Sequence, residues 1–254
     1  MKELNLYHFF PDKLNLYGDR GNIIILKKRC EWRGIQLNVH EVKKEEDLHL
    51  SNADLLFIGG GSNREQSLCT DELFKIKDEF KSAVDDGVAA LTICGGYQFL
   101  GDYYETAEGE KLRGLGILNF YSKATSNDPK DRLIGDLRVQ SERFGRIVGY
   151  ENHSGETFHT YDTIGEVIGG YGNNRTDRKE GLVYNHLIGT YLHGPILSKN
   201  PRIADWLIQQ ALERKYGDSS ILKEYPIDDE FAHTANEQIW NRVETNHKKK
   251  YRLL

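Results

Sequence analysis

The residue with the clearest capacity for chemistry is Cys94, a thiol placed where a buried strand should end. Residues 88–93 are apolar and predict a strand, and Gly95-Gly96 directly after the cysteine predict a sharp turn. Such a turn would direct the thiol outward at the carboxyl end of a sheet, the edge where ligands bind in open α/β folds. A helix opening beyond the turn would favour a thiolate, and the Gly95 amide would face an oxyanion formed by attack on an acyl carbon. The alternative interpretation is an inert, buried cysteine at a strand end.

A nucleophilic thiol needs an imidazole that accepts its proton and later protonates a leaving amine. Among the nine histidines, His193 is the best placed, because residues 187–192 predict a strand that ends at it and turn residues follow. His153 is the main rival, whereas His186 at the opposite end of the same strand is expected to face a hairpin turn. The sequence therefore predicts that Cys94 and His193 meet at one rim of a sheet.

Three consecutive glycines, Gly59-Gly60-Gly61, follow another short buried strand at residues 55–58. Glycines let backbone N–H groups approach a ligand closely, so the amides of Gly60 and Gly61 are predicted to complement that of Gly95 around an oxyanion. The alternative is a phosphate or dinucleotide loop. The spacing matches neither GxGxxG nor GxxxxGK[ST], which favours the oxyanion interpretation.

The elements that would position these residues alternate between strands and helices in the first half of the chain. Strands are predicted at residues 4–10, 35–42, 55–58 and 88–93, and helices at residues 21–32 and around residues 73–84. Apolar strands separated by amphipathic helices imply an α/β fold with a parallel sheet covered on both faces. From residue 115 to residue 193, short β-branched and aromatic segments with Gly and Asn turns predict further strands, partly antiparallel.

The C-terminal part is predicted to be helical. One helix follows Pro201, and a more polar last helix covers about residues 228–246. A weak apolar stripe on that last helix, formed by Phe231, Ile239 and Trp240, would pack on the core or on a partner. We expect a single domain over residues 1–254, with about residues 218–254 as a helical extension.

Composition limits the remaining possibilities. With 38% hydrophobic and 29% charged residues among 254, the chain is long enough to bury a substantial core. A net charge of -5 gives no basic field for nucleic acid, and the run Lys248–Lys250 is interpreted as a solvated tail. The sequence contains no long apolar run and no signal-peptide pattern, so we expect a cytoplasmic protein without a membrane span. Three widely spaced cysteines form no zinc pattern, so no metal site is predicted. Cys30 is expected in the core, and Cys69 lies near the glycine loop without a strand–turn–helix to present it as a nucleophile.

Together these motifs resemble those of the class I glutamine amidotransferases, in the branch related to cobyric acid synthase, over about residues 4–215. The matching segments are Ile93-Cys94-Gly95-Gly96-Tyr97-Gln98, Tyr191-Leu192-His193-Gly194-Pro195 and Phe57-Ile58-Gly59-Gly60-Gly61-Ser62-Asn63-Arg64-Glu65-Gln66. The resemblance implies a mostly parallel central sheet flanked by helices, with added antiparallel strands, and hydrolysis of L-glutamine by Cys94 and His193. It also implies that Arg132 and Gln98 contact the substrate, with the Arg132 guanidinium suited to bidentate capture of the α-carboxylate.

Two further segments, Tyr17-Gly18-Asp19-Arg20-Gly21-Asn22 and Glu151-Asn152-His153, are most similar to the glutaminase subunits of lipid II isoglutaminyl synthase. That family implies a heterodimer with a Mur-ligase-like subunit, which uses ATP and Mg to activate the D-glutamate α-carboxylate of the lipid-linked stem peptide. No cofactor is then expected in this subunit. The alternatives are an amidotransferase for another acceptor such as a cobalamin precursor, a thiol peptidase on the same fold, and a non-enzymatic subunit with a vestigial cysteine.

One position departs from the class I pattern. Many class I enzymes complete a triad with a glutamate two residues after the histidine, and this chain has Pro195 there. The cobyric acid synthase branch also lacks that glutamate. The third catalytic group is therefore left open between none at all, an acid elsewhere in the chain, and an acid supplied by the partner.

Overall fold

The computed structural model describes residues 1–44, 50–61 and 63–251. Ser62 of the glycine-loop motif lies outside the described residues. So do the side chains of Asn63, Arg64 and Gln66 and of the run Lys248–Lys250, so the interpretation of that run as a solvated tail stays a prediction.

Fourteen strands and eight α-helices are assigned within that part of the chain. The strands are β1 (Glu3–Phe9), β2 (Gln36–Val42), β3 (Leu55–Ile58), β4 (Ala89–Ile93), β5 (Tyr103–Glu105), β6 (Lys111–Arg113), β7 (Tyr121–Ala124), β8 (Leu133–Ser141), β9 (Gly145–His153), β10 (Gly155–Phe158), β11 (Gly165–Gly169), β12 (Lys179–Glu180), β13 (Leu182–Tyr184) and β14 (Leu187–Thr190). The helices are α1 (Arg20–Glu31), α2 (Asn63–Lys75), α3 (Lys77–Asp85), α4 (Gly95–Phe99), α5 (Ile196–Lys199), α6 (Pro201–Tyr216), α7 (Ile221–Glu224) and α8 (Glu230–Tyr251).

The central sheet has six strands in the order β13-β14-β4-β3-β1-β2. All neighbours are parallel except the edge pair β13 and β14. Every residue of β3, β4 and β14 is buried, as expected when both faces of a parallel sheet are covered. The predicted α/β fold is therefore confirmed.

The order of the strands explains how residues far apart in sequence come together. β4 and β14 are parallel neighbours, with Ala90 opposite Leu187 and Ile93 opposite Thr190. Their carboxyl ends lie at the same edge, where the backbone N–H of Cys94 donates to the carbonyl of Thr190 at 2.8 Å. The elements that deliver Cys94 and His193 therefore end side by side.

Two smaller sheets follow the central one, and their strands from β7 onward fall in the region predicted to hold further, partly antiparallel strands, whereas β5 and β6 precede it. One has the order β10-β7-β5-β6 and contains one parallel pair, β5 with β7. The other has the order β12-β11-β8-β9 and is antiparallel throughout. The long hairpin of β8 and β9 pairs Leu133 with His153, which places the start of β8 beside the end of β9.

The predicted helix around residues 73–84 is divided into α2 and α3. The break falls at Ile76, whose φ of -94° and ψ of 0° depart from regular α-helical values while staying in the right-handed region. The backbone N–H of Phe80 still bonds the carbonyl of Ile76, and Leu73 and Val84 stay buried with them. Because the apolar spacing continues across the break, the sequence pattern alone predicted one helix.

The last helix packs differently from the predicted stripe. Trp240 is 7% exposed, and the guanidiniums of Arg138 and Arg146 lie 5.0 and 5.1 Å from its ring. Phe231 is 92% exposed, so the two aromatic residues do not share one buried face. In the described part of the chain, every helix is too short or too polar to cross a bilayer.

Candidate active site

Cys94 lies on a strained turn between β4 and α4. Its φ of 50° and ψ of -105° are unusual for a residue with a side chain, and its side chain is 8% exposed. Positive φ at a non-glycine residue costs about 1–3 kcal/mol and is concentrated at functional sites. The strand–turn–helix geometry predicted for a nucleophile is thus present.

Gly96 allows the turn to pack tightly against the neighbouring strand. A Cβ atom on Gly96 would lie 2.7 Å from the backbone oxygen of Ile58 and 2.9 Å from that of Gly59. Both contacts are with backbone atoms, which cannot rotate away. A glycine is therefore required here for the turn to approach the glycine loop.

His193 is fixed by its backbone and by its side chain. It exchanges two backbone hydrogen bonds with Tyr150, of 2.7 and 3.2 Å, which attach it to β9. Its Nδ1 donates to the Oδ1 atom of Asp19 at 3.1 Å, and neither side chain has exposed surface. With Nδ1 engaged, Nε2 is the nitrogen left to exchange a proton with the Cys94 sulfur.

The electrostatics favour a charged imidazole. Burial lowers the pKa of His193, but its hydrogen bond to the Asp19 carboxylate and its proximity to Cys94 outweigh burial and raise the pKa to about 10. The imidazolium is therefore held at neutral pH, where it carries the proton a leaving amine needs. The predicted meeting of Cys94 and His193 at one rim is confirmed.

Asp19 also binds the glycine loop. Its second oxygen, Oδ2, accepts from the backbone N–H of Gly60 at 2.7 Å. This contact contradicts the predicted role of the Gly60 amide as an oxyanion donor, because the carboxylate occupies that N–H. A Cβ on Gly60 would lie 2.8 Å from Cε1 of His193 and 3.4 Å from Cβ of Cys94, so the residue does border the reactive pair.

The two other predicted oxyanion donors are the N–H groups of Gly95 and Gly61. Among the described residues, no acceptor takes a hydrogen bond from the Gly95 N–H, which lies at the first position of α4. That amide remains available to an oxyanion beside Cys94. The role of Gly61 as an oxyanion donor stays a prediction.

The rival base His153 is committed to other contacts. Its Nδ1 lies 2.7 Å from the carbonyl of Gly155, and its Nε2 lies 3.3 Å from a carboxylate oxygen of Glu151. The ring stacks on Tyr191 with 3.7 Å between centroids. Both nitrogens therefore face acceptors, and His153 supports the wall of the site.

The remaining histidine and cysteine expectations also hold. His186 binds the carbonyl of Gly87 from the hairpin between β13 and β14. Cys30 and Cys69 have no exposed surface, and burial raises their pKa values to about 12 and about 11. Neither thiol is suited to act as a nucleophile.

Arg132, which is predicted to bind the substrate, is connected to the site by hydrogen bonds through Asn152. Its Nε donates to Oδ1 of Asn152 at 2.9 Å, and its Nη2 donates to the Asn152 carbonyl at 3.1 Å. The Asn152 amide donates in turn to the Tyr17 hydroxyl at 2.6 Å. The Tyr17 ring stands edge-on to His193 with 4.9 Å between centroids. Arg132 and His193 are thus joined by a short chain of contacts.

The other predicted substrate residue, Gln98, is nearly buried beside Cys94. Its backbone N–H bonds the Cys94 carbonyl, and its amide donates to the Tyr191 hydroxyl at 3.1 Å. It lines a cavity of about 250 Å³ together with Tyr104 and Arg113. Gln98 therefore borders a cavity, and its role in substrate binding stays a prediction.

Sequence reasoning missed Asp19, Tyr17 and Asn152. All three lie in the two segments that carried the closer resemblance, so a signal was present. Nothing in the local pattern showed which of their side chains would face His193, because those contacts cross more than a hundred positions.

A thiol on a strand–turn–helix elbow, with a histidine at the end of the adjacent parallel strand, defines the class I glutamine amidotransferase-like arrangement on an α/β sheet. The chain belongs to the family of CobB/CobQ-like glutamine amidotransferase domains, whose sequence profile matches residues 5–201. The predicted family is therefore confirmed.

Relatives refine this assignment. The chain is 54% identical over 215 residues to the lipid II isoglutaminyl synthase (glutamine-hydrolyzing) subunit GatD of Staphylococcus aureus (strain N315), covering 85% of this chain and 87% of that protein. It is 38% identical to the subunit of the same name from Streptococcus pneumoniae (strain ATCC BAA-255 / R6), covering 88% and 86%. A probable cobyric acid synthase of Methanoregula boonei (strain DSM 21154 / JCM 14090 / 6A8) is 34% identical, covering 65% of this chain and 34% of that protein.

Solved structures support the fold. A glutamine amidotransferase superposes with a TM-score of 0.55 at 19% identity, covering 81% of this chain and 98% of that one. PurLQS from Thermotoga maritima superposes with a TM-score of 0.57 at 14% identity, covering 82% and 98%.

Proposed function

We propose that this chain is the glutaminase subunit of a lipid II isoglutaminyl synthase, with Cys94 as nucleophile and His193 as acid and base. The observation that carries the catalytic part is the buried His193, which bonds Asp19 through Nδ1 and borders Gly60 together with Cys94. The name of the 54% identical Staphylococcus aureus relative supports the choice of complex.

The reaction starts with the thiolate of Cys94 attacking the side-chain carbonyl carbon of L-glutamine. The carbonyl oxygen becomes an oxyanion, which the N–H of Gly95 stabilises, with that of Gly61 as the second donor. The His193 imidazolium transfers its Nε2 proton to the leaving nitrogen, and ammonia departs as the C–N bond breaks. The enzyme is left as a thioester on Cys94 with a neutral His193.

Hydrolysis of the thioester completes the cycle. Neutral His193 accepts a proton from water, and the resulting hydroxide attacks the acyl carbon. The C–S bond breaks, glutamate leaves, and the thiolate and the imidazolium are restored. We assign Asp19 the task of holding His193 in orientation and stabilising its charge throughout, which is the role an acid plays in a Ser-His-Asp triad.

Substrate recognition would use Arg132 and Gln98. The Arg132 guanidinium offers a planar fork that suits the α-carboxylate of glutamine. Gln98 bonds the Cys94 carbonyl through its backbone N–H and borders a cavity, from which it would contact the side-chain amide or the α-amino group.

The acceptor chemistry belongs to a partner. Both GatD relatives are named as subunits, which supports a heterodimer here. We propose a Mur-ligase-like partner that binds ATP and Mg and activates the D-glutamate α-carboxylate of the lipid II stem peptide, onto which the ammonia is transferred. The use of ATP and three unpaired cysteines favour a cytoplasmic location.

The test is transfer of a labelled amide nitrogen. The full chain, purified with its co-expressed partner, would receive ATP, Mg, lipid II and glutamine carrying nitrogen-15 in its side-chain amide. The proposal predicts the label in a new α-amide of the stem-peptide glutamate. Labelled ammonia without transfer, or transfer to a cobalamin precursor in a parallel reaction, would overturn the proposed acceptor.

A further inference from the structure

Tyr17 covers the reactive histidine from solvent. Tyr17 is 45% exposed, and its ring stands edge-on both to the fully buried His193 and to Tyr150, with 6.1 Å between the two tyrosine centroids. Its φ of 52° and ψ of 27° place an aromatic residue in the left-handed region, which costs about 1–2 kcal/mol. Something must hold Tyr17 in that conformation.

Asn152 holds Tyr17 in this conformation. Its side-chain amide donates to the Tyr17 hydroxyl at 2.6 Å, while its Oδ1 accepts from Nε of Arg132 at 2.9 Å. One amide group therefore touches both residues. Arg132 is only partly buried, and no described residue accepts from its Nη1. The guanidinium thus retains donors that can reach a carboxylate.

Hydrogen bonds connect the turn that contains Tyr17 to the glycine loop. The neighbouring Leu16 N–H donates to the carbonyl of Gly60 at 3.1 Å, and Asp19 accepts from the Gly60 N–H. Both polar backbone groups of Gly60 are thus bound to the turn that carries Tyr17. A displacement of Tyr17 would therefore alter the positions of the glycine loop and of His193.

We propose that Tyr17 and Asn152 form a latch that makes the site respond to the α-carboxylate of its amide substrate. A carboxylate first meets Nη1 of Arg132 and then takes Nε from the Asn152 side chain, because a charged acceptor binds a guanidinium more strongly than a neutral amide oxygen does. The freed Asn152 releases the Tyr17 hydroxyl, and the ring leaves its position over His193. This inference rests on the proposed glutaminase function and adds Tyr17 and Asn152 as specificity-determining residues.

The latch has a kinetic signature that simple binding lacks. If Arg132 only anchored the substrate, an amide without the α-carboxylate would bind weakly, and most of its loss would appear in KM. With the latch, such an amide also fails to displace Tyr17, so its kcat falls as well. The probe is 4-aminobutanamide, which is glutamine with a hydrogen in place of the α-carboxylate.

The experiment measures ammonia release from L-glutamine and from 4-aminobutanamide by the full chain with its partner. For Tyr17→Phe, which keeps the ring and removes the latched hydroxyl, the kcat ratio of glutamine to 4-aminobutanamide should fall at least about tenfold. Asn152→Ala should act in the same direction. Tyr121→Phe is the matched control, a tyrosine on β7 that stacks on Tyr103 away from the site, and its ratio should equal that of the wild type.

A double-mutant cycle separates a latch from two independent residues. In an Arg132→Ala background, Tyr17→Phe should change the ratio less than twofold, because the latch is already disconnected. Independent, multiplicative effects of the two substitutions would overturn the latch, as would an unchanged ratio in Tyr17→Phe. Lack of glutamine turnover by the wild type would overturn the proposed function and the latch together, whereas turnover with an unchanged ratio removes only the latch.

Discussion

His193 donates a hydrogen bond from Nδ1 to the carboxylate of Asp19 across 174 positions of sequence, in a contact from which solvent is fully excluded. The glutamate found two residues after the histidine in many class I enzymes is replaced here by Pro195. Asp19 provides an acid from the opposite end of the chain. The same carboxylate also binds the glycine loop through Gly60, so one residue fixes two parts of the site.

Replacing Asp19 with Asn should weaken catalysis and change its pH dependence. Loss of the negative charge lowers the pKa of His193 from about 10, so the imidazolium is lost at a lower pH. The alkaline limb of kcat should therefore move to lower pH, and kcat at neutral pH should fall by about 10²-fold. A pH profile of glutamate release measures both effects.

The matched control for that substitution is Asp12→Asn. Asp12 lies on the same N-terminal segment, but its side chain is 70% exposed and its contact with Lys43 spans 3.4 Å. Its profile should match the wild type. An unshifted alkaline limb in Asp19→Asn would show that Asp19 does not hold the charge on His193.

Replacing Gly96 with Ala should displace the turn that presents Cys94. The added methyl group would meet the backbone oxygens of Ile58 and Gly59 at less than 3 Å, and overpacking of this kind costs about 1–3 kcal/mol. We expect a lower free energy of unfolding in urea together with a large loss of kcat. Gly109→Ala is a suitable control because its Cβ would meet open space, although its positive φ carries a backbone cost of its own.

Glu180 should make the protein less stable as the pH rises. Burial raises the pKa of this fully buried carboxyl to about 8, while hydrogen bonds from Thr190 and Tyr191 oppose that effect. Between the ordinary pKa of 4.5 and about 8, the folded state binds the proton that the unfolded state has lost. The free energy of unfolding therefore falls by about 1.4 kcal/mol for each pH unit across that window, and it levels off at higher pH.

Glu180→Gln tests that expectation, since glutamine keeps the accepting oxygen and cannot ionise. Its free energy of unfolding should decline less between pH 5 and pH 8 than that of the wild type, when the two are measured by urea titration at several pH values. The exposed Glu166→Gln should leave the slope unchanged. Parallel curves for wild type and Glu180→Gln would contradict a neutral carboxyl in the core.

A buried ionic cluster should anchor the C-terminal helix. Arg29 binds both Asp205 of α6 and Asp229, which directly precedes α8, and Arg33 binds Asp205 as well. Asp205→Ala leaves two buried guanidiniums short of a partner and should cost about 3 kcal/mol in urea unfolding. Asp229→Ala should instead speed proteolysis within α8. The exposed Asp218→Ala, which removes contacts with Lys2 and with the Ser220 N–H, should do neither.

The sequence predicted those parts of the site that depend on local pattern. Cys94 and His193 each end a buried apolar run before a turn, and parallel strands bring such ends to one edge. Asp19 gives no comparable local signal, because its partner comes from strand order and not from neighbouring residues. The sequence also did not predict the direction of the Gly60 N–H. Glycine permits many backbone orientations, and the Asp19 carboxylate, which comes from another segment, selects one of them.

The sequence failed to predict the break at Ile76 and the divided stripe on α8 for the same reason. Apolar spacing reports which side chains are buried, and it does so correctly for Leu73 and Phe80 on either side of the break. It does not report whether the backbone between them stays α-helical. Likewise, Trp240 is buried by two arginines from β8 and β9, which the helix sequence does not contain.

Attack by Cys94 on glutamine, with the help of His193, is the step on which the whole proposal depends. Its most direct test is the rate of glutamate release by the partnered wild-type chain and by Cys94→Ser, with circular dichroism to show that both are folded. We predict that release by the variant falls by at least about 10³-fold while its fold is retained. Release at the wild-type rate from a folded Cys94→Ser protein would contradict that mechanism.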